Sequence, residues 1–183
     1  GQVVDIYETG RILYKFLTKA AQKGNNSKAI KELEEIGFPP KEITSENIMK
    51  QIKWAEKFGG IFNNPNFKKK VVKAILLSHE YSLHDKMNYN KASSFCFNSI
   101  FDQLMKVNLI NQVPEVKIPV YFFVGKKDYN TPYELAEKYF NNIKAPKKQI
   151  FWFDNSAHAP HFEEPENFSS LLVENVLPDA LKN

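Results

Sequence analysis

Ile118-Pro119-Val120-Tyr121-Phe122-Phe123-Val124-Gly125 is a continuous β-branched and aromatic run with no polar face, closed by a glycine. Such a run reads as a strand buried on both faces, as in a parallel sheet. Thr131-Pro132-Tyr133-Glu134 then opens a helix. Thr131 as N-cap, Pro132 at N1 and Glu134 at N3 fit a capping box. Leu135, Ala136, Tyr139, Phe140 and Ile143 form that helix's apolar face, and Ala145-Pro146-Lys147-Lys148 is a turn. Gln149-Ile150-Phe151-Trp152-Phe153 reads as a second strand. A polar loop follows, and Pro165 starts a last helix carrying Phe168, Leu171, Leu172 and Val176, stopped by Pro178. Strand, helix, strand implies a parallel βαβ unit with a right-handed crossover.

Upstream the pattern is helical from residue 5 to about 112. Ile12, Leu13, Phe16, Leu17, Ala20 and Ala21 make one apolar stripe, followed by Gly24 as a left-handed C′ residue. Ala29, Ile30, Leu33 and Ile36 mark a second helix, stopped by Gly37 and Pro39-Pro40. Ile48, Ile52, Ala55 and Phe58 mark a third, stopped by Gly59-Gly60. Val71, Val72, Ile75 and Leu76 mark a fourth. Asp85 is placed to cap a fifth, whose apolar face is Phe97, Ile100, Phe101, Leu104 and Met105.

Composition narrows the class. Of 183 residues, 43% are apolar and 25% charged, with 15 Phe, 8 Tyr and 2 Trp, which excludes a disordered or collagen-like chain. The net charge of +4 is spread over 25 basic and 21 acidic residues, so no nucleic-acid stripe is expected. No apolar run approaches the roughly 18–20 residues of a membrane helix. Residues 1–5 show no signal-peptide pattern and no initiator Met, so the expectation is a chain processed at its start or taken from partway through a longer protein. The one cysteine, Cys96, excludes an internal disulfide and points to a reducing, cytoplasmic compartment.

The chemistry sits where the two strands end. The first runs out through Gly125-Lys126-Lys127 to Asp128, the second through Asp154-Asn155-Ser156-Ala157 to His158, thirty residues after Asp128. Parallel neighbours place both loops on one sheet edge, where open α/β sheets bind ligands. Asp128 would accept from the imidazole N–H and fix its tautomer, and His158 would act as general base on a hydroxyl nucleophile.

Here the chain resembles the α/β-hydrolase family. Pro119-Val120 opens the strand, Gly125-Lys126-Lys127-Asp128 matches the acid turn, and Ala157-His158 with Glu163-Glu164-Pro165-Glu166-Asn167-Phe168 is similar to the base-histidine loop. The family order is Ser, then acid, then His. The resemblance implies an incomplete α/β-hydrolase fold: a helical lid over 1–112, then the last two parallel strands and their helices over 113–183. Gly1-Gln2-Val3-Val4-Asp5, Lys28-Ala29-Ile30, Gly37-Phe38-Pro39-Pro40 and Phe58-Gly59-Gly60 resemble the cap of proline-iminopeptidase-like members. The implied activity is hydrolysis of an ester or amide in a small-molecule or peptide substrate, with no cofactor and no metal.

One departure stands out. None of the seven glycines (Gly1, Gly10, Gly24, Gly37, Gly59, Gly60 and Gly125) brackets a serine as G-x-S-x-G, and no His-Gly-Gly segment is present. The expectation is a C-terminal fragment carrying the triad acid and histidine without nucleophile or oxyanion hole, inactive alone. The alternative is a naturally short, non-catalytic protein of the same fold that binds a ligand or partner. Two strands alone make a marginal sheet, so the edge is expected to stay exposed, to pair with a companion N-terminal part, or to form a homodimer.

Other residues have simpler readings. Asp154 is the second choice of acid, but lies too near His158 in sequence to reach it easily. His161 reads as a surface or cap-facing loop residue, and a metal site from His158, His161, Glu163 and Glu164 lacks a second ligand cluster. Cys96 reads as a small buried hydrophobe, and Phe67-Lys68-Lys69-Lys70 as a solvated helix start. Trp54, Phe58, Phe62, Phe95 and Phe97 are expected in the core of the helical block, some of them lining a substrate pocket.

Overall fold

A computed structural model describes residues 3–37, 44–64 and 66–181. The helical block comes first. α1 (Ile6–Lys23) is capped by Asp5, whose side chain accepts from Glu8 N at 3.0 Å. α2 (Ser27–Ile36) is capped by Asn26 on Ala29 N, and α3 (Ser45–Lys57) by Thr44 on Asn47 N. Each cap satisfies a backbone N–H that the first helical turn leaves without a partner. The apolar stripes of these helices meet in one core of Leu13, Leu17, Ala21, Ala29, Leu33, Ile36, Trp54, Ala55 and Ile61. Burying a Leu or Ile side chain there stabilises by about 1.5–3 kcal/mol each. The Trp54 indole N–H donates to Glu32 Oε2 at 2.8 Å, and with Lys53 it holds that carboxyl below its usual range.

α4 (Phe67–Leu77) and α5 (Leu83–Leu104) behave differently, since neither contains a buried residue. Leu83, Met87 and Phe95 are more than 70% exposed. Phe95 is therefore outside the core, and Cys96, expected to be buried, is exposed. Only the Phe97 and Leu104 side of that helix approaches α1 and α3, so Phe95 and Cys96 face solvent. Asp85 is not the cap itself. Ser82 is the N-cap, and Asp85 completes the capping box at N3.

The two ends of the helical block lie side by side. Asp5 and Asn108 form an antiparallel bridge, Leu109 N donates to Val4 O at 2.7 Å, and Asn108 Nδ2 donates to Asp5 Oδ2 at 2.8 Å. The short α6 (Leu109–Gln112) then leads to β1 (Val120–Gly125), α7 (Tyr133–Asn142) and β2 (Lys148–Phe153). The strands pair in parallel with Val120 opposite Lys148 and Gly125 opposite Phe153. Alternation sends Phe122 towards Tyr139 and Phe140 of α7, while Phe123 packs on Phe151 of β2 and on Phe168. The sheet has two strands among the described residues, and β1 side chains up to Phe123 remain only half-buried. Ile118 lies before the strand and is exposed.

Two boundaries differ from expectation. The left-handed residue after α1 is Asn25 at φ 48°, and Gly24 has an ordinary φ of −87°. The Pro39-Pro40 stop lies outside the described residues, but Gly37 is left-handed at φ 73° as a helix stop should be. Pro178 does not end the last helix. After α8 (Pro160–Glu163) and α9 (Pro165–Leu171), a π-helical segment Leu172–Val176 precedes α10 (Leu177–Ala180). Proline cannot donate to the carbonyl four residues back and its ring crowds that carbonyl. The π turn ends as Leu177 N donates to Leu172 O, and Pro178 enters as an early residue of the last turn. Among the described residues no helix is long and apolar enough to cross a membrane.

Gly125 is where the two strand ends come closest. A Cβ built there would lie 2.0 Å from Ala157 O and 2.5 Å from Ser156 O. Gly125→Ala is expected to destabilise by about 2–4 kcal/mol in urea unfolding, because the obstruction is backbone. Gly10 in α1 meets nothing within 4 Å. Gly10→Ala is therefore expected to stabilise by about 0.5–1 kcal/mol. A neutral Gly125→Ala would contradict the packing of these two loops.

Candidate active site

The parallel register puts the loops after β1 and β2 on one edge. Asp128, three residues beyond β1, is 3% exposed. Four donors converge on its carboxylate. Asn130 N and Thr131 N donate to Oδ1 at 2.9 and 2.8 Å. Thr131 Oγ1 donates to Oδ2 at 2.8 Å, and His158 Nδ1 lies 3.0 Å from the same oxygen. Thr131 Oγ1 is also 3.2 Å from Nδ1. An ionised carboxylate only accepts, so the imidazole carries its proton on Nδ1 and presents Nε2 as an acceptor. Asn130 Nδ2 stands 3.3 Å from Nε2. The Asp128 side chain is 4% exposed and that of His158 29%, so the pair is anchored at one end and more open at the other.

The helical block braces both loops. Tyr129 N donates to Gly60 O and His158 N to Ile61 O, each at 2.9 Å. Phe16 stacks on Tyr129 with ring centres 3.8 Å apart and planes 8° from parallel. Burial, and then the negative charge of Glu134, pushes the Tyr129 hydroxyl above its ordinary pKa. Glu163 ties the His158 loop to the block: Oε2 accepts from Ala157 N at 2.7 Å and Oε1 from Asn63 N at 2.7 Å. Glu164 Oε1 accepts from the fully buried Ser156 at 2.6 Å and from Asn155 N at 3.2 Å.

Both sequence-predicted residues, Asp128 and His158, thus meet. Asp154 faces away and pairs with Lys126 at 2.7 Å. His161 lies against Phe162 and Phe168, and that burial pushes its pKa below the ordinary imidazole value. Glu163 and Glu164, weighed as metal ligands, turn their oxygens to backbone N–H groups and a serine hydroxyl. Among the described residues no group of three or more His, Cys, Asp and Glu is arranged to hold a metal. Thr131 is not the helix cap: α7 starts after Pro132 without a side-chain cap, and the Thr131 hydroxyl serves Asp128 instead. The sequence signal for that role was the short Asp-x-x-Thr spacing, which also fits a cap. Thr131→Val is expected to cost about 1–2 kcal/mol in unfolding, because a buried carboxylate loses a donor. An unchanged midpoint would contradict this.

No protein-family profile matches the chain. Among curated proteins, the probable aminopeptidase YbaC of Bacillus subtilis (strain 168) is 30% identical over 137 residues, 75% of this chain and 43% of that protein. The pimeloyl-[acyl-carrier protein] methyl ester esterase of Vibrio cholerae serotype O1 is 32% identical over 71 residues, 39% of this chain and 27% of that protein. The chain therefore spans less than half the length of these curated relatives. A solved esterase (EaEST) from Exiguobacterium antarcticum is 23% identical, with a TM-score of 0.46, covering 72% of this chain and 45% of that one. The chain is thus similar to parts of an aminopeptidase-like protein and of a methyl ester esterase, and it joins a helical block to two parallel strands.

Proposed function

We propose that Asp128 and His158 are the acid and base of a serine-type triad that hydrolyses an ester or amide, completed by residues outside these 183. The observation that supports this best is the Asp128–His158 pair itself: a buried, four-donor carboxylate 3.0 Å from the Nδ1 of a half-open imidazole. In that arrangement Nε2 takes the proton of an incoming serine hydroxyl as its oxygen attacks the carbonyl carbon. Asp128 stabilises the imidazolium. Collapse of the tetrahedral intermediate breaks the bond to the leaving alcohol or amine, which receives the proton from Nε2. Water then repeats the sequence on the acyl-enzyme and regenerates the serine.

The missing partners have a place to dock. A groove of about 340 Å³ runs beside β1, lined by Val120, Phe122, Val124, Asp128, Thr131 and His158. A third strand laid there would cover half-buried aromatics and carry a nucleophile to the His158 end of the sheet. Residues 1–112 act as the lid in this reading, which the adjacent ends at Val4 and Leu109 favour, because an insertion leaves and rejoins its host at one point. A cavity of about 220 Å³ between α1, α3 and α5 reaches Asn130 and Thr131 and suits an apolar part of the substrate. The relatives named for aminopeptidase and methyl ester esterase activity bracket the bond types. The single cysteine favours a cytoplasmic setting.

The 183-residue chain alone should hydrolyse no p-nitrophenyl ester and should sediment as an assembly rather than a compact 21.2 kDa monomer. Joined to the preceding coding sequence it should gain activity, and there Asp128→Asn or His158→Ala should lower kcat by about 10³–10⁵-fold. Activity indifferent to both substitutions, or a well-behaved monomer with full activity, would sink this reading.

A further inference from the structure

Asn130 stands two residues after Asp128 and touches both members of the pair. Its backbone N–H donates to Asp128 Oδ1 at 2.9 Å, which fixes the turn. Its side-chain Nδ2 lies 3.3 Å from His158 Nε2, the ring nitrogen opposite the one that meets Asp128. A carboxamide nitrogen only donates, so this contact exists only while Nε2 holds a lone pair. Asn130 also lines the cavity between α1, α3 and α5, with Leu13, Ile52, Phe97 and Leu104. It therefore stands between the reactive nitrogen and the cavity.

We propose that Asn130 is a positioning residue for the base: its carboxamide holds His158 in the Nδ1–H tautomer and keeps Nε2 as an acceptor in the place a nucleophile's hydroxyl would donate. An arriving hydroxyl replaces one donor with another, so the imidazole needs no change of tautomer before proton transfer. Asp128 alone fixes the far nitrogen. Asn130 fixes the near one, and the two together clamp the ring through both nitrogens. This rests on the reading of His158 as the base.

The test uses the ¹⁵N-labelled 183-residue chain and long-range ¹H–¹⁵N correlation of the imidazole. Wild type is expected to show a protonated Nδ1, an unprotonated Nε2, and an N–N coupling across the hydrogen bond between Asn130 Nδ2 and Nε2. Asn130→Asp turns the donor into an acceptor and should add a proton at Nε2, giving a ring protonated on both nitrogens. Asn130→Ala keeps the backbone N–H and should abolish the coupling and shift the Nε2 resonance, while Asp128 keeps a proton on Nδ1. A ring pattern that both variants leave unchanged overturns the proposal. Should either fail to fold, absence of the coupling in wild type overturns it alone. Asp128→Asn separates the two readings. A pattern sensitive to Asp128→Asn and insensitive to Asn130 variants removes Asn130's role and keeps the acid–base pair. A pattern insensitive to all three removes both.

Discussion

A carboxylate that is 3% exposed has to be surrounded by donors, and Asp128 is the constraint around which the site is built. An uncompensated buried charge costs several kcal/mol, while each hydrogen bond to a charged group returns about 1.5–3 kcal/mol. Asn130 N, Thr131 N, Thr131 Oγ1 and His158 Nδ1 supply four such contacts. Three come from the turn that carries Asp128 itself. The fourth comes from another strand's loop, so satisfying the charge also fixes where β2 ends relative to β1.

That requirement spreads outward. The loops can meet only because Gly125 has no side chain where Ala157 O passes. They stay in place because the helical block offers Gly60 O and Ile61 O to the backbone of Tyr129 and His158. Gly60 is tight for the same reason: a Cβ there would lie 2.8 Å from the Phe16 ring, which itself stacks on Tyr129. Glu163 closes the circuit by joining Ala157 N to Asn63 N. The block is therefore attached to the Asp128 and His158 loops through main-chain bonds, which tolerate side-chain change elsewhere in the block. Elsewhere cover is incomplete: Leu83, Met87 and Phe95 of α5 lie in solvent and the β1 aromatics are half-covered.

Much of this was legible in the residues. The apolar run ending at Gly125 has no polar face, and with a helix between it and the aromatic run ending at Phe153 it indicated parallel strands. Asp128 and His158 followed from where those runs stop. What escaped was set by tertiary contacts. Thr131 reads locally as a helix cap, and only the nearby buried charge redirects its hydroxyl. Cys96 and Phe95 look like core by composition, but burial needs a second surface, and none of the described residues provides one. Asn130 has no sequence signal at all, since a polar turn residue beside Asp is ordinary; its meaning comes from the imidazole thirty residues away in the chain from Asp128.

The central proposal is that Asp128 and His158 serve a nucleophile that lies outside these 183 residues. Fluorophosphonate labelling, with the modified residue mapped by mass spectrometry, tests it most directly. The account predicts no labelled serine among residues 1–183, and labelling of a single serine outside them once the preceding coding sequence is present. A serine labelled within the 183-residue chain itself would contradict it.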